Sequence, residues 1–123
     1  MADLEGARVL VVEDEYLIAD DLVRALHAAG GQAVGPAGSL DHARTLLDEE
    51  EVDAAILDLN LHGEMAFPLV SDVQKRGLPC VIMSGYSPES LPESIRHVPN
   101  LEKPVDHERV VRSLAAEIVA KSA

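Results

Sequence analysis

Short aliphatic runs alternate along this chain with segments whose apolar residues recur every three or four positions. Arg8–Val12 (RVLVV) is a strand-like run that ends in Glu13-Asp14-Glu15. Over residues 16–29, Ile18, Leu22, Leu26 and Ala29 share one helical face, and Gly30-Gly31 stops that helix. Residues 32–34 form a weak strand ahead of Gly35-Pro36. Ser39 serves as N-cap for a second helix carrying Leu40, Ala43, Leu46 and Leu47. Residues 52–57 (VDAAIL) are the next buried strand, with Asp58 at its carboxyl end. Residues 59–64 read as a loop hinged at Gly63, residues 66–76 as a third helix ended by Gly77, and residues 79–83 as a fourth strand. A fourth helix is expected within residues 86–100, interrupted by Pro88 and Pro92, because proline lacks the amide a helix interior needs. Leu101-Glu102 make a short fifth strand, and residues 106–120 a last helix with Val110, Leu114 and Ile118 on one stripe.

Strand and helix thus alternate five times, which predicts an α/β fold with a parallel, doubly wound sheet covered by helices on both faces. Right-handed crossovers leave few other topologies. In such sheets the ligand site lies outside the carboxyl ends of the strands. The residues that should meet there are Glu13 and Asp14, Asp58, Ser84 and Lys103.

Composition narrows the picture further. A chain of 123 residues fits one domain, residues 1–123, and 47% hydrophobic residues give it enough material for a core. Aromatics are only 2%, so that core is built from Val, Leu, Ile and Ala. No apolar run approaches a membrane span, and the first 15 residues lack the basic and apolar regions of a leader, so a cytoplasmic protein is expected. A net charge of −12 argues against nucleic acid as partner. Cys80 lies in an apolar run and reads as a buried, inert thiol. His27, His42, His62, His97 and His107 are scattered without metal-ligand spacing. His62 reads as a surface-loop residue, with an influence on chemistry at the nearby Asp58 as the alternative.

Three carboxylates brought to one sheet end repel each other unless a cation neutralises them, and oxygen ligands of this kind select a hard cation such as Mg²⁺. With a lysine and a hydroxyl beside them, the set suits a transferred phosphoryl group. In that reading Asp58 is the nucleophile and becomes an acyl phosphate. Asp14 binds Mg²⁺ directly, Glu13 directly or through water, and the Asn60 backbone carbonyl is a further ligand. Lys103 pairs with one phosphoryl oxygen, Ser84 donates to another, and Gly85 lets its amide approach closely. Each feature alone has a plainer explanation: an acidic helix start for Glu13-Asp14-Glu15, a helix cap for Asp58, a turn for Ser84, a solvated Lys103, a packed surface ring for Tyr86.

The segments VLVVEDE ending at Glu15, AILDLNL (residues 55–61), MSGYS (residues 83–87) and LEKPV (residues 101–105) together resemble the receiver domains of two-component response regulators, over essentially the whole chain. The resemblance implies a flavodoxin-like (βα)5 fold with strand order 2-1-3-4-5. It also implies Asp58 as phosphoacceptor, Glu13 and Asp14 as the acid pair, Ser84 as the hydroxyl switch residue, Lys103 as the phosphate-pairing lysine, and a cis peptide before Pro104. Many receivers carry a switch aromatic three residues before the lysine, where this chain has Asn100, leaving Tyr86, beside Ser84 and Gly85, as the aromatic near enough to take that switch role. The MSGYS segment is similar to a subgroup of single-domain regulators of α-proteobacteria that lack that aromatic and serve histidine kinases of the HWE and related types. The function so implied is a phosphoacceptor signalling domain and not an enzyme. Its partners would be a sensor histidine kinase and a histidine phosphotransfer protein or target regulator, and its state a monomer or weak dimer. Two other classes stand beside it. A dehalogenase-like phosphatase would need an acid where Asn60 stands, and a phosphate-independent pseudo-receiver would not need the intact set of Asp14, Asp58, Ser84 and Lys103.

Overall fold

The computed structural model describes residues 4–122; the first three residues and the last lie outside that range. In chain order the elements are β1 (Arg8–Val12), α1 (Tyr16–Ala28), β2 (Gln32–Ala37), α2 (Leu40–Glu49), β3 (Ala54–Asp58), β4 (Asn60–Leu61), β5 (Glu64–Met65), α3 (Phe67–Lys75), β6 (Cys80–Ser84), β7 (Asn100–Glu102) and α4 (His107–Ser122). Five strands form one parallel sheet in the order β2-β1-β3-β6-β7. Counting only those five, this is the 2-1-3-4-5 order of the flavodoxin-like receiver fold. Among the described residues no helix is long and apolar enough to cross a membrane.

Each buried strand splits its side chains between two cores, because successive residues face opposite sides of the sheet. Leu10, Val12, Leu57 and Ile82 point toward α2 and α3, where Leu47, Leu69 and Val73 are buried with them. Val9, Val11, Ile56 and Val81 point the other way, against Leu22 and Leu26 of α1 and Val110 and Leu114 of α4. Helix α2 starts where its cap dictates: the Ser39 hydroxyl accepts from the His42 amide at 3.1 Å.

Three expectations need correction. Strand β2 does not stop before Gly35-Pro36 but runs through it to Ala37, with an irregular register against β1 between Leu10 and Val12. Gly35 has φ +94°, and a Cβ there would meet the Ala37 nitrogen at 2.8 Å, so only glycine fits the kink. Pro36 follows a cis bond and is tolerated because β2 is an edge strand. Residues 59–64 are not a plain loop. Asn60–Leu61 and Glu64–Met65 pair antiparallel as a small hairpin, turning on His62 (φ 51°) and Gly63 (φ 86°). Such a turn needs two residues of positive φ in succession. Lastly, the expected fourth of five helices does not form. Between β6 and β7 stand only two 3₁₀ turns, Pro88–Ser90 and Glu93–Ile95, so among the described residues the sheet carries four α-helices. The prolines at 88, 92 and 99 remove three amides that a helix there would have used. Leu91, Ile95 and Val98 still bury themselves against the sheet.

Candidate functional site

The carboxyl ends of β1, β3, β6 and β7 converge on an open cavity of about 480 Å³ lined by Asp14, Glu15, Asp58, Asn60, His62, Gly85, Tyr86 and Lys103. Backbone bonds fix its walls: the Glu13 amide donates to the Ala37 carbonyl, Leu59 to Met83, and Lys103 to Ser84. The peptide before Pro104 is cis, as the resemblance implied.

Asp58 closes β3 with its side chain only 2% exposed. Its Oδ1 accepts from the Asn60 amide at 3.1 Å and its Oδ2 from Lys103 Nζ at 2.8 Å. Lys103 Nζ also lies 3.8 Å from Glu13 Oε2. Burial acts to lower the lysine's pKa, but the hydrogen bond to Asp58 and the charges of Asp58, Glu13 and Glu15 outweigh it, so the ammonium is held charged above its ordinary range.

Glu13 is fully buried, and only one of its oxygens is satisfied: Oε1 accepts from the Glu15 amide at 3.0 Å. Oε2 has no hydrogen-bond partner. Burial, with a further contribution from the Asp58 charge, raises its pKa to about 8. Carboxylate oxygens of Glu13, Asp14 and Asp58 come within 4.8 Å of one another. An orphaned buried oxygen among three carboxylates and one lysine is the donor set that a hard divalent cation satisfies. The residues present therefore fit Mg²⁺.

Asp14, by contrast, is held from across the cavity. The His62 amide donates to its Oδ2 at 2.7 Å, and His62 Nδ1 lies 3.3 Å from the same oxygen. Sequence reasoning placed His62 in a surface loop and so missed this contact. Its only signal was the His62-Gly63 pair, in which one residue must accept positive φ beside a glycine. Asn60 lines the cavity, but its side chain serves the hairpin, where Oδ1 accepts from the Gly63 amide at 2.7 Å.

Ser84 is buried at the end of β6 and is not among the lining residues. Its hydroxyl bonds Asn100 Oδ1 at 2.8 Å. Gly85 and Tyr86 do line the cavity, and the Tyr86 ring, 40% exposed, reaches over to Met65 with its hydroxyl 4.0 Å from the sulfur. Cys80 is buried far down β6, and burial pushes its thiol up to about 11, in keeping with an inert side chain.

Comparison with known proteins bears on the chain as a whole. The response regulator receiver domain model matches residues 9–115. The solution structure of SdrG from Sphingomonas melonis Fr1 is 33% identical, with TM-score 0.77 over 97% of this chain and 99% of that one. The receiver domain of the PhyR response regulator from Erythrobacter litoralis is 25% identical, with TM-score 0.78 over 94% and 92% of the two chains. The sensory transduction protein LytT of Bacillus subtilis (strain 168) is 28% identical over 111 residues, 87% of this chain and 46% of the relative. The chain spans less than half the length of the curated relatives it matches.

Proposed function

Because the chain belongs to the response-regulator receiver family, the signalling module of two-component systems, we propose that it takes a phosphoryl group onto Asp58 from a histidine kinase in a Mg²⁺-dependent transfer. The observation that carries this reading is the buried Asp58 carboxylate paired with Lys103 at 2.8 Å beside the orphaned Glu13 oxygen. A carboxylate enclosed this way is held in one orientation and partly stripped of water, as an attacking group must be.

A carboxylate oxygen of Asp58 bonds to phosphorus as the phosphorus–nitrogen bond of the donor phosphohistidine breaks, and the leaving imidazole takes up a proton. Lys103 moves its bond from Asp58 Oδ2 to a phosphoryl oxygen, keeping its charge throughout. Ser84 donates its hydroxyl, and Gly85 its amide, to the remaining oxygens. Glu13, Asp14, Asp58 and the Asn60 carbonyl would hold Mg²⁺, which when bound offsets the carboxylate charge and part of the charge on the phosphoryl group. Hydrolysis of the acyl phosphate ends the signal.

In this reading the 123 residues act as one receiver unit. The signal leaves through contact with a target regulator or by passing the phosphoryl group to a histidine phosphotransfer protein. The unit works in the cytoplasm as a monomer or weak dimer. Acetyl phosphate with Mg²⁺ should label the protein at one site, and Asp58→Asn should take up no label. Undiminished labelling of that variant overturns the assignment, and loss of labelling on chelation of Mg²⁺ is the expected companion result.

A further inference from the structure

The Ser84 hydroxyl has a single proton, and its neighbours determine where that proton goes. Its oxygen lies 2.8 Å from Asn100 Oδ1 and 3.2 Å from the Tyr86 carbonyl, and it accepts from the Tyr86 amide at 3.2 Å. Asn100 Nδ2 donates to that same Tyr86 carbonyl at 3.0 Å. A main-chain carbonyl can only accept, so the amino end of the Asn100 amide must face Tyr86. Its Oδ1 then faces Ser84, and being an acceptor too, it claims the hydroxyl proton. The three groups form a closed polar ring that ties the end of β6 and the start of the 86–99 segment to the first residue of β7.

We propose that Asn100 is a positioning residue that holds the Ser84 hydroxyl in the resting state and must release it before Ser84 can donate to a phosphoryl oxygen. The inference rests on the phosphoryl-binding role of Ser84 given above and adds how that role is gated. A neutral hydroxyl-to-amide bond is exchanged for one to a charged oxygen, which is the stronger kind, so phosphorylation drives the exchange. Once Ser84 turns, the Asn100 amide loses an acceptor-side partner, and its grip on the Tyr86 carbonyl is no longer fixed from both ends. A side chain of modest size thereby reports the state of the acceptor to the segment after β6 through hydrogen bonds, with no large ring to swing.

The test is a double-mutant cycle read by NMR titration with beryllofluoride and Mg²⁺, an acyl-phosphate mimic, following the Ser84 and Tyr86 amides. Asn100→Ala removes the hold, and Asn100→Val does the same with a side chain suited to a strand. Each should bind the mimic about fivefold more tightly than wild type, the equivalent of one resting hydrogen bond. In the Ser84→Ala background the same changes should have no effect. General destabilisation cannot imitate this pattern, since it loosens binding and does so whether or not Ser84 is present. Unchanged or weaker binding by both variants, or equal tightening without Ser84, overturns the proposal while the wild type still binds. If the wild type takes neither beryllofluoride nor acetyl phosphate, the phosphoacceptor reading itself falls.

Discussion

Glu13 shows how much of this site is a matter of single atoms. A carboxyl whose pKa is raised by burial to about 8 binds its proton more tightly in the folded chain than in the unfolded one, where 4.5 is the ordinary value. Its contribution to stability is therefore full below about pH 4.5 and is lost as the pH climbs toward 8. In Mg²⁺-free buffer the unfolding free energy from urea titration should fall between about pH 5 and pH 8, by an amount on the order of a few kcal/mol at most. The decline should be flatter for Glu13→Gln, and Mg²⁺ should restore the wild type at the alkaline end. Equal slopes for the two proteins, measured by circular dichroism, would exclude Glu13 as the source. Asp14, Asp58 and Lys103 were legible as candidate site residues because each stands at or just past the carboxyl end of a strand, and strand ends converge. The His62 contact to Asp14 and the Asn100 contact to Ser84 were not. Both depend on where a turn or an adjacent strand carries a residue, which no local pattern states.

At the level of elements, periodicity served well wherever a segment was long enough to have a period. Helices α1, α2 and α4 turn the stripe their spacing marks out toward the sheet, burying Leu22, Leu26, Leu40, Ala43, Leu47, Val110 and Leu114 and half-burying Ile18, Leu46 and Ile118. The β4–β5 hairpin has two residues per strand, too few to show alternation, and so passed for a loop. The 86–99 segment shows composition overruling apolar spacing. Leu91, Ile95 and Val98 keep a helix-like rhythm, but the chain around them can form only 3₁₀ turns. Between Ser87 and Val98 its main-chain bonds are short-range, such as Ser90 to Ser87 and Ile95 to Pro92, both 3.0 Å, and the Arg96 guanidinium ties down the Leu91 carbonyl at 2.9 Å. Few cooperative bonds mean a low free energy of local opening. Amides of this segment should exchange with deuterium well before those of α1 and β3, and beryllofluoride should change protection chiefly here. Protection matching α1 in the free protein, or a response confined to the β4–β5 hairpin, contradicts this expectation.

For the molecule as a whole, the sheet separates two hydrophobic cores. Ile56 belongs to the α1 and α4 side, Ile95 to the α2 and α3 side, and both are fully buried. Ile56→Val and Ile95→Val should each lower stability by about 0.5–1.5 kcal/mol. Combined, their costs should add to within about 0.5 kcal/mol, because residues without shared partners behave independently. A larger discrepancy in denaturant unfolding would mean that the sheet transmits packing changes from one face to the other. The fold class was readable from alternation alone, since strand and helix periods succeed each other and parallel pairing leaves few topologies. The count of helices was not, because it turned on three prolines.

The pairing of Asp58 with Lys103 spans 45 residues of chain. A ribosome adding about 5–20 residues per second needs roughly 2–9 s to cover that interval. During those seconds the nascent polypeptide already carries Glu13, Asp14 and Asp58 but not the lysine that offsets them. For the function proposed above, acceptor chemistry then waits on translation: an emerging chain would stay silent to a kinase until the strand bearing Asn100 and the lysine after it have both left the exit tunnel.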